Sequence, residues 1–195
     1  MRTLIITAFM SLDGVMEAPG GEEGYRNAGW TFRDVPFDEA AYEIKGREQD
    51  EATALLLGRR SYEAFAPVWP SMTEDFARYN ELPKYVVSST LTDEDLADDW
   101  GPTSILRSVE EVAGLKESDG GPIIVHGSAT LGHALSEAGL VDRYHLLVFP
   151  LLLGAGKRLF GTADVDAIPL DLIEHEAYGN GVQKMVFDVA RKAGD

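Results

Sequence analysis

Apolar and polar positions divide the chain into short buried runs that alternate with amphipathic ones. Thr3 to Phe9 is apolar and β-branched and stops at Ser11-Leu12-Asp13-Gly14, the pattern of a buried strand entering a loop. The loop holds Gly14, Gly20, Gly21, Gly24 and Gly29, and its length predicts a functional flap or a disordered segment. Phe37, Ala40, Ala41 and Ile44 then recur at helical spacing behind Asp38, predicting a capped helix of about three turns. Ala54-Leu55-Leu56-Leu57 is too short for a helix and closes on Gly58, so it reads as a fully buried strand with a helix starting near Arg59. Lys84 to Ser88, Thr103 to Leu106 and Pro122 to His126 are further strands. Ser108 with Glu111 predicts a capping box for a helix through Leu115. Gly127-Ser128 opens a helix with Leu131, Ala134, Leu135 and Ala138 on its apolar face and Gly139 as its stop.

Beyond Asp142 the alternation of strand and helix ends. Tyr144 to Leu153 reads as a long strand, and Leu170 to Tyr178 pairs with Val182 to Val189 across Gly179-Asn180-Gly181 as a hairpin. The predicted class is α/β: a mainly parallel mixed sheet in three layers, helices on both faces, with a C-terminal antiparallel hairpin. No repeat or linker interrupts the chain, so a single domain over 1–195 is expected, with acidic Thr92 to Asp99 as a solvated turn. Tyr144 to Leu153 is apolar on both alternating faces, so either a second chain covers one of them, in a homodimer through Leu147, Phe149 and Leu151, or the strand is more central in the sheet; the homodimer is the expectation.

Charge narrows the function classes. Asp and Glu number 33 against 17 Lys and Arg, a formal charge of -16, which repels phosphate backbones and anionic lipid. Neither nucleic acid nor a membrane surface is an expected partner. The absence of cysteine excludes thiolate metal sites and cysteine nucleophiles, and the four histidines show no metal spacing, so no metal is expected. Neither a secretory signal nor an apolar run of about 20 residues is evident, which places the protein in the cytoplasm.

Three strand ends carry candidate chemistry, because ligands of open α/β sheets bind beyond the carboxyl ends of strands, at helix N-termini. Gly58-Arg59-Arg60-Ser61 joins a permissive glycine to two cations. Gly127-Ser128-Ala129-Thr130 is a turn of small residues, and Ser88-Ser89-Thr90 offers three hydroxyls. Two adjacent arginines at a helix start in so acidic a chain point to a phosphorylated cofactor. Asp13 is either a turn-forming aspartate or a catalytic group, and His126, at a strand end, is either structural or a proton relay. Gly154-Ala155-Gly156-Lys157-Arg158 lacks the spacing of a P-loop. Trp30, Trp69 and Trp100 are core residues or substrate platforms.

Thr7 to Gly14, Leu56 to Glu63, Pro83 to Leu91, Ile124 to Leu131, Leu140-Val141-Asp142 and Pro150 to Phe160 resemble, in order, the signatures of dihydrofolate reductase-like proteins related to the C-terminal reductase domain of the riboflavin biosynthesis deaminase-reductase. The resemblance implies that Gly58, Arg59, Arg60 and Ser61 hold a cofactor pyrophosphate and that Gly127, Ser128, Ala129, Thr130 and Leu131 cradle it from the other side. It places Ser88, Ser89 and Thr90 near an adenosine 2'-phosphate. It also implies that Ala8 and the flap from Ser11 to Met16 border the nicotinamide and substrate, so that Ser11, Asp13, Gly14, Met16 and Trp30 become candidate substrate contacts and Asp13, Ser11 and His126 candidate proton relays. The chain departs from its relatives at several points. Ser89 stands where many carry arginine, Phe9 or Met10 where pyrimidine reductases carry lysine, and His126 where they carry glutamate. Only Asp38 or Glu39 aligns loosely with the acidic residue on the first helix of true dihydrofolate reductases.

The expected function is an NADPH-dependent reductase, with NADH as the alternative cofactor, passing a hydride to a pterin- or pyrimidine-like heterocycle. The rivals are 5-amino-6-(5-phosphoribosylamino)uracil reductase or dihydrofolate reductase proper, and a non-catalytic nucleotide- or ligand-binding protein on the same scaffold.

Overall fold

The computed structural model describes residues 1–161 and 167–190; the remainder of the expected 1–195 domain lies outside the described residues. Eight strands form one sheet: β1 Leu4–Ser11, β2 Ala54–Gly58, β3 Lys84–Val87, β4 Thr103–Leu106, β5 Ile123–His126, β6 Arg143–Phe149, β7 Leu170–Ala177 and β8 Gln183–Val189. Six α-helices join them: α1 Trp30–Arg33, α2 Glu39–Glu51, α3 Arg59–Phe65, α4 Ala77–Glu81, α5 Val109–Glu117 and α6 Ala129–Glu137. The strand order is β4-β3-β2-β5-β1-β6-β8-β7. The pairs from β4 through β6 are parallel, whereas β8 runs antiparallel to both β6 and β7, giving the expected mixed sheet.

Alternate residues of each central strand feed opposite layers, as strand periodicity requires. Leu4, Ile6, Leu56, Ile123 and Val125 pack toward α5 and α6, where they meet Val112, Leu131 and Leu135. Ile5, Leu55, Leu57 and Ile124 face the other way, onto Tyr62, Trp69 and Trp100. On that second face the layer continues under α2, where Ala41 and Ile44 cover Leu147, Phe149 and Val186. Full burial of such side chains contributes about 1.5–3 kcal/mol each, which is why these runs read as continuously apolar.

The structure corrects several expectations. β6 ends at Phe149, before Pro150, rather than at Leu153. It lies between β1 and β8 with Tyr144, Leu146 and Val148 packed in one layer and Leu147 and Phe149 under α2 in the other, so both of its apolar faces are covered within one chain, and Leu147 and Phe149 are 0% and 1% exposed. The strand therefore needs no second chain to cover it. The capping box at Ser108 does not form, because Glu111 accepts from Arg107 N–H at 2.8 Å instead. Asp38 does cap α2, accepting from Ala40 N–H at 3.2 Å. No helix of the described residues is long and apolar enough to cross a membrane.

Candidate functional site

Parallel pairing aligns the carboxyl ends of β3, β2, β5 and β1 along one edge, and a cleft of about 1160 Å³ opens there. Its lining contains every predicted cofactor residue: Ala8, Gly58, Arg59, Arg60, Ser61, Ser88, Ser89, Thr90, Gly127, Ser128, Ala129, Thr130 and Leu131. Met16 and His126 also line it.

The central feature is a tie between two strand ends. Gly127 and Ser128 both adopt left-handed backbone, at φ 72° and 68°, which turns the chain sharply from β5 into α6. Ser128 is the N-cap of α6, yet its hydroxyl does not cap the helix. It accepts from Gly58 N–H at 2.8 Å and lies 2.7 Å from Ser61 Oγ, fastening the β2 end to the β5 end. The first N–H groups of α6 consequently have no side-chain acceptor and face the cleft with the positive end of the helix. A side chain at 58 would crowd the tie, since an added Cβ would stand 3.1 Å from Ser128 Oγ. The uncapped start of α6, with no acidic side chain within the turn itself, suits a phosphate.

Cations flank the turn. Arg59 is paired with Glu63 at 2.8 Å, whereas Arg60 makes no ion pair or hydrogen bond among the described residues. The Ser88 hydroxyl accepts from Leu91 N–H at 3.0 Å and shapes its own turn, leaving the exposed Ser89 and Thr90 to meet a ligand. Arg107, missed in the sequence, follows β4 and so lies beside that turn. Its guanidinium donates to the Ser88 and Leu91 carbonyls at 3.0 and 2.6 Å and lines the cleft. It brings to this strand end the charge that Ser89 does not.

The flap folds over the far end of the cleft. Met16, Glu17, Pro19, Glu22, Glu23 and Tyr25 line that end, and the flap is held down by Met16 N–H donating to Lys157 O at 2.8 Å and Tyr25 O–H to Ala155 O at 2.7 Å. Ser11, Asp13, Gly14 and Trp30 are not part of the lining. Asp13 accepts from Ser11 O–H at 2.7 Å, Leu153 N–H at 3.1 Å and Gly154 N–H at 2.8 Å, and these bonds, that of Ser11 above all, hold its carboxyl at about 2. It fastens the base of the flap. Trp30 is fully buried, edge-on to Phe149 at 5.3 Å, and donates to Glu17 O at 2.9 Å, so it supports the flap from beneath.

His126 lies beside the aromatic stack Phe65, Trp69 and Phe76, whose neighbouring ring centroids are 4.4 and 4.2 Å apart. Burial, reinforced by the nearby Lys45 charge, lowers its pKa to about 4, so the ring is neutral at physiological pH. Its Nδ1 has no hydrogen-bond partner. The carboxylate that α2 directs inward is neither Asp38, which caps the helix, nor the exposed Glu39. It is Glu48, 1% exposed and joined to Lys45, Thr7 and His145. Among the described residues no group of three or more His, Asp or Glu is placed to hold a metal.

Comparison with known proteins agrees with this geometry. An uncharacterised protein of Bacillus subtilis, YyaP, is 29% identical over 194 residues, covering 95% of this chain and 94% of that protein. The structure is similar to a diaminohydroxyphosphoribosylaminopyrimidine deaminase/5-amino-6-(5-phosphoribosylamino)uracil reductase of Thermotoga maritima, at a TM-score of 0.68 and 12% identity over 97% of this chain and 57% of that one. It is also similar to the dihydrofolate reductase of Enterococcus faecalis, solved with NADP(H), at a TM-score of 0.60 and 14% identity over 97% of both chains. The fold is thus dihydrofolate reductase-like. With residues 2–184 matching the family described as the RibD C-terminal domain, the chain belongs to that family.

Proposed function

We propose that the protein is a nicotinamide-dependent reductase of a small pterin- or pyrimidine-like heterocycle, with NADPH as its cofactor. The observation that carries this reading is the Ser128 tie. It brings the Gly58–Ser61 and Gly127–Leu131 turns together as one cradle, beside a cleft that the flap also lines.

The residues present fit such a group. Backbone donors of the Gly127–Leu131 turn and the Arg60 side chain would hold the pyrophosphate, and Ser89, Thr90 and Arg107 the 2'-phosphate. When bound, NADPH would supply the hydride. The chain itself orients the reactants and keeps water out. Ala8 and Phe9 form the floor, Phe65, Trp69 and Phe76 an apolar wall, and the flap from Met16 to Tyr25 a cover. Glu48 is the buried carboxylate of α2, whereas Asp38 and Glu39, which align loosely with the pterin-holding residue of dihydrofolate reductases, stand at its start.

NADPH binding is measured by tryptophan fluorescence and turnover by loss of NADPH absorbance in the presence of pterins and oxopyrimidines. Saturable binding with NADPH consumption is expected. Absence of binding would overturn the reading, and binding without oxidation of any candidate would favour the ligand-binding alternative.

A further inference from the structure

The cofactor cradle and the unpaired Arg60 stand at the strand ends, and the part of the cleft that the flap lines is built differently. It presents rings. Phe9 on β1 and Phe32, which follows the flap, both line it, and each packs against Tyr42, at 5.6 and 6.1 Å between ring centroids. Phe32 is 57% exposed, so much of its ring is uncovered. The lining also holds Trp69 stacked between Phe65 and Phe76, with His126 edge-on to Trp69 at 5.0 Å. A cleft walled by rings suits a planar ligand.

The two lysines of this part are already engaged. Lys45 donates to Thr7 Oγ1 and lies 3.3 Å from both Glu48 oxygens, which accounts for its three N–H groups. Lys157 answers the flap carboxylate Glu17: its backbone N–H donates to Oε2 at 2.9 Å and its ammonium stands 3.6 Å from Oε1. Arg26, also on the flap, is not part of the lining. The remaining flap carboxylates are in the opposite situation. Glu22 and Glu23 line the cleft, and neither forms an ion pair among the described residues. Glu22 Oε2 is shut off from solvent with no hydrogen-bond partner, which leaves an acceptor open in the lining.

We propose that the substrate of this cleft carries neither phosphate nor carboxylate: it is a planar heterocycle whose substituent toward the flap is uncharged or protonated, and Glu22 is the residue that enforces the choice. A phosphoribosylated pyrimidine and a folate both carry an anion beyond the ring. Here that anion would meet unpaired carboxylates, partly shielded from water, with no free cation to hold it. A hydroxyl or an amine would instead donate to the open Glu22 oxygen. The proposal rests on the reductase reading for the identity of the cleft, but it concerns the charge of the ligand alone and is tested without turnover.

Calorimetric titration of the chain saturated with NADP+, which fills the cradle, tests it with two matched pairs: 6-hydroxymethylpterin against 6-carboxypterin, and uridine against uridine 5'-phosphate. The uncharged member of whichever pair binds is expected to bind about tenfold more tightly than its anionic partner. Glu22→Gln should narrow that ratio, and Glu22→Lys should abolish it by supplying the missing cation. Equal or tighter binding of the anionic member, binding of no member of either pair, or a ratio unaltered in Glu22→Lys would overturn the proposal. The wild-type comparison needs no variant, so it decides the matter even if a flap substitution disturbs folding. Failure of the reductase reading shows separately, in the NADP+ titration itself; pyrophosphate then replaces NADP+ as the occupant of the cradle, and the comparison within each pair stands.

Discussion

Arg59 and Arg60 are neighbours in sequence but differ in electrostatic situation. Arg59 is already neutralised by Glu63 one turn along α3, whereas Arg60 stands unpaired at the end of the helix where positive charge is unfavourable without an anion. Arg60→Ala is therefore expected to weaken NADPH binding by roughly 1.5–3 kcal/mol, and Arg59→Ala by less, in a fluorescence titration. If neither changes affinity, the pyrophosphate lies elsewhere. Arg107 governs the other end of the cofactor. Pinned to the Ser88 and Leu91 carbonyls, it offers its remaining donors beside Ser89 and Thr90. Arg107→Ala should lower the NADPH-to-NADH affinity ratio by about tenfold, and Ser89→Arg should raise it. An unchanged ratio in both variants would move the 2'-phosphate away from this strand end.

The buried titrating residues set the response to acid. An unfolded His126 takes up a proton near 6.5, but burial lowers this to about 4 in the folded chain, with the Lys45 charge adding to the effect. Between those values the unfolded chain binds more protons, so stability falls as pH drops from 6.5 toward 4. Glu48 and Asp13 are both held at about 2, below their ordinary 4.5 and 3.8, so their contribution is present above those ordinary values and is lost as pH falls toward 2. Urea unfolding should show two successive losses, and His126→Phe should remove the one at higher pH. A variant that keeps the full slope between 6.5 and 4 would assign that loss to another group.

At the scale of elements, what was legible was what depends on near neighbours. Asp38 behind Phe37 and Ala40 announced α2, and Asp38→Ala should lower stability by about 1 kcal/mol in a thermal melt, because Ala40 N–H loses its acceptor. A melt unchanged from the wild type would show the cap to be dispensable. Gly127-Ser128 announced one turn of the cradle because left-handed backbone favours small residues, and Gly58 announced the other by closing an apolar run, although its own backbone is extended and its constraint is the approach of Ser128. The Lys45, Glu48, Thr7 and His145 cluster was not legible, because Glu48 meets His145 across 97 positions and charged residues on an amphipathic helix read as a solvated face. Arg107 escaped notice because only the pairing of β4 with β3 places it beside Ser88. The Ser108 cap failed for a related reason: Glu111 fits the local pattern, but Arg107 N–H competes for its carboxylate.

For the whole molecule, the charge of -16 is unevenly spread. Lys45, Arg59, Arg60, Arg107 and Lys157 line one cleft together with Glu17, Glu22, Glu23 and Glu63, and the cations gather at its strand ends while three of the glutamates lie on the flap, so the cleft as a whole is far less acidic than the rest of the chain. The same net charge opposes self-association, and this sharpens the question of the dimer. The apolar strand β6 is covered within one chain, so the unpartnered apolar surface shifts outward to the edge strand β7. There Leu170, Leu172 and Ile173 are 36%, 56% and 49% exposed, while the second half of β7, beyond the irregularity between Leu172 and Glu174, carries Glu174, His175 and Glu176. Charged residues and bulges protect an edge, and the Leu170–Ile173 stretch carries a single charge, Asp171, ahead of the irregularity at its end, so that it offers its backbone to a second strand. A homodimer through this stretch should strengthen as salt screens the repulsion between two acidic chains. Sedimentation equilibrium is expected to show a mass near two chains that rises toward that value with ionic strength, with Leu172→Glu returning it to one. Leu147→Glu, by contrast, should unfold the chain, because a charge would be left buried under α2. A monomer at every ionic strength would refute the dimer, and a dimer indifferent to Leu172→Glu would place its interface away from β7.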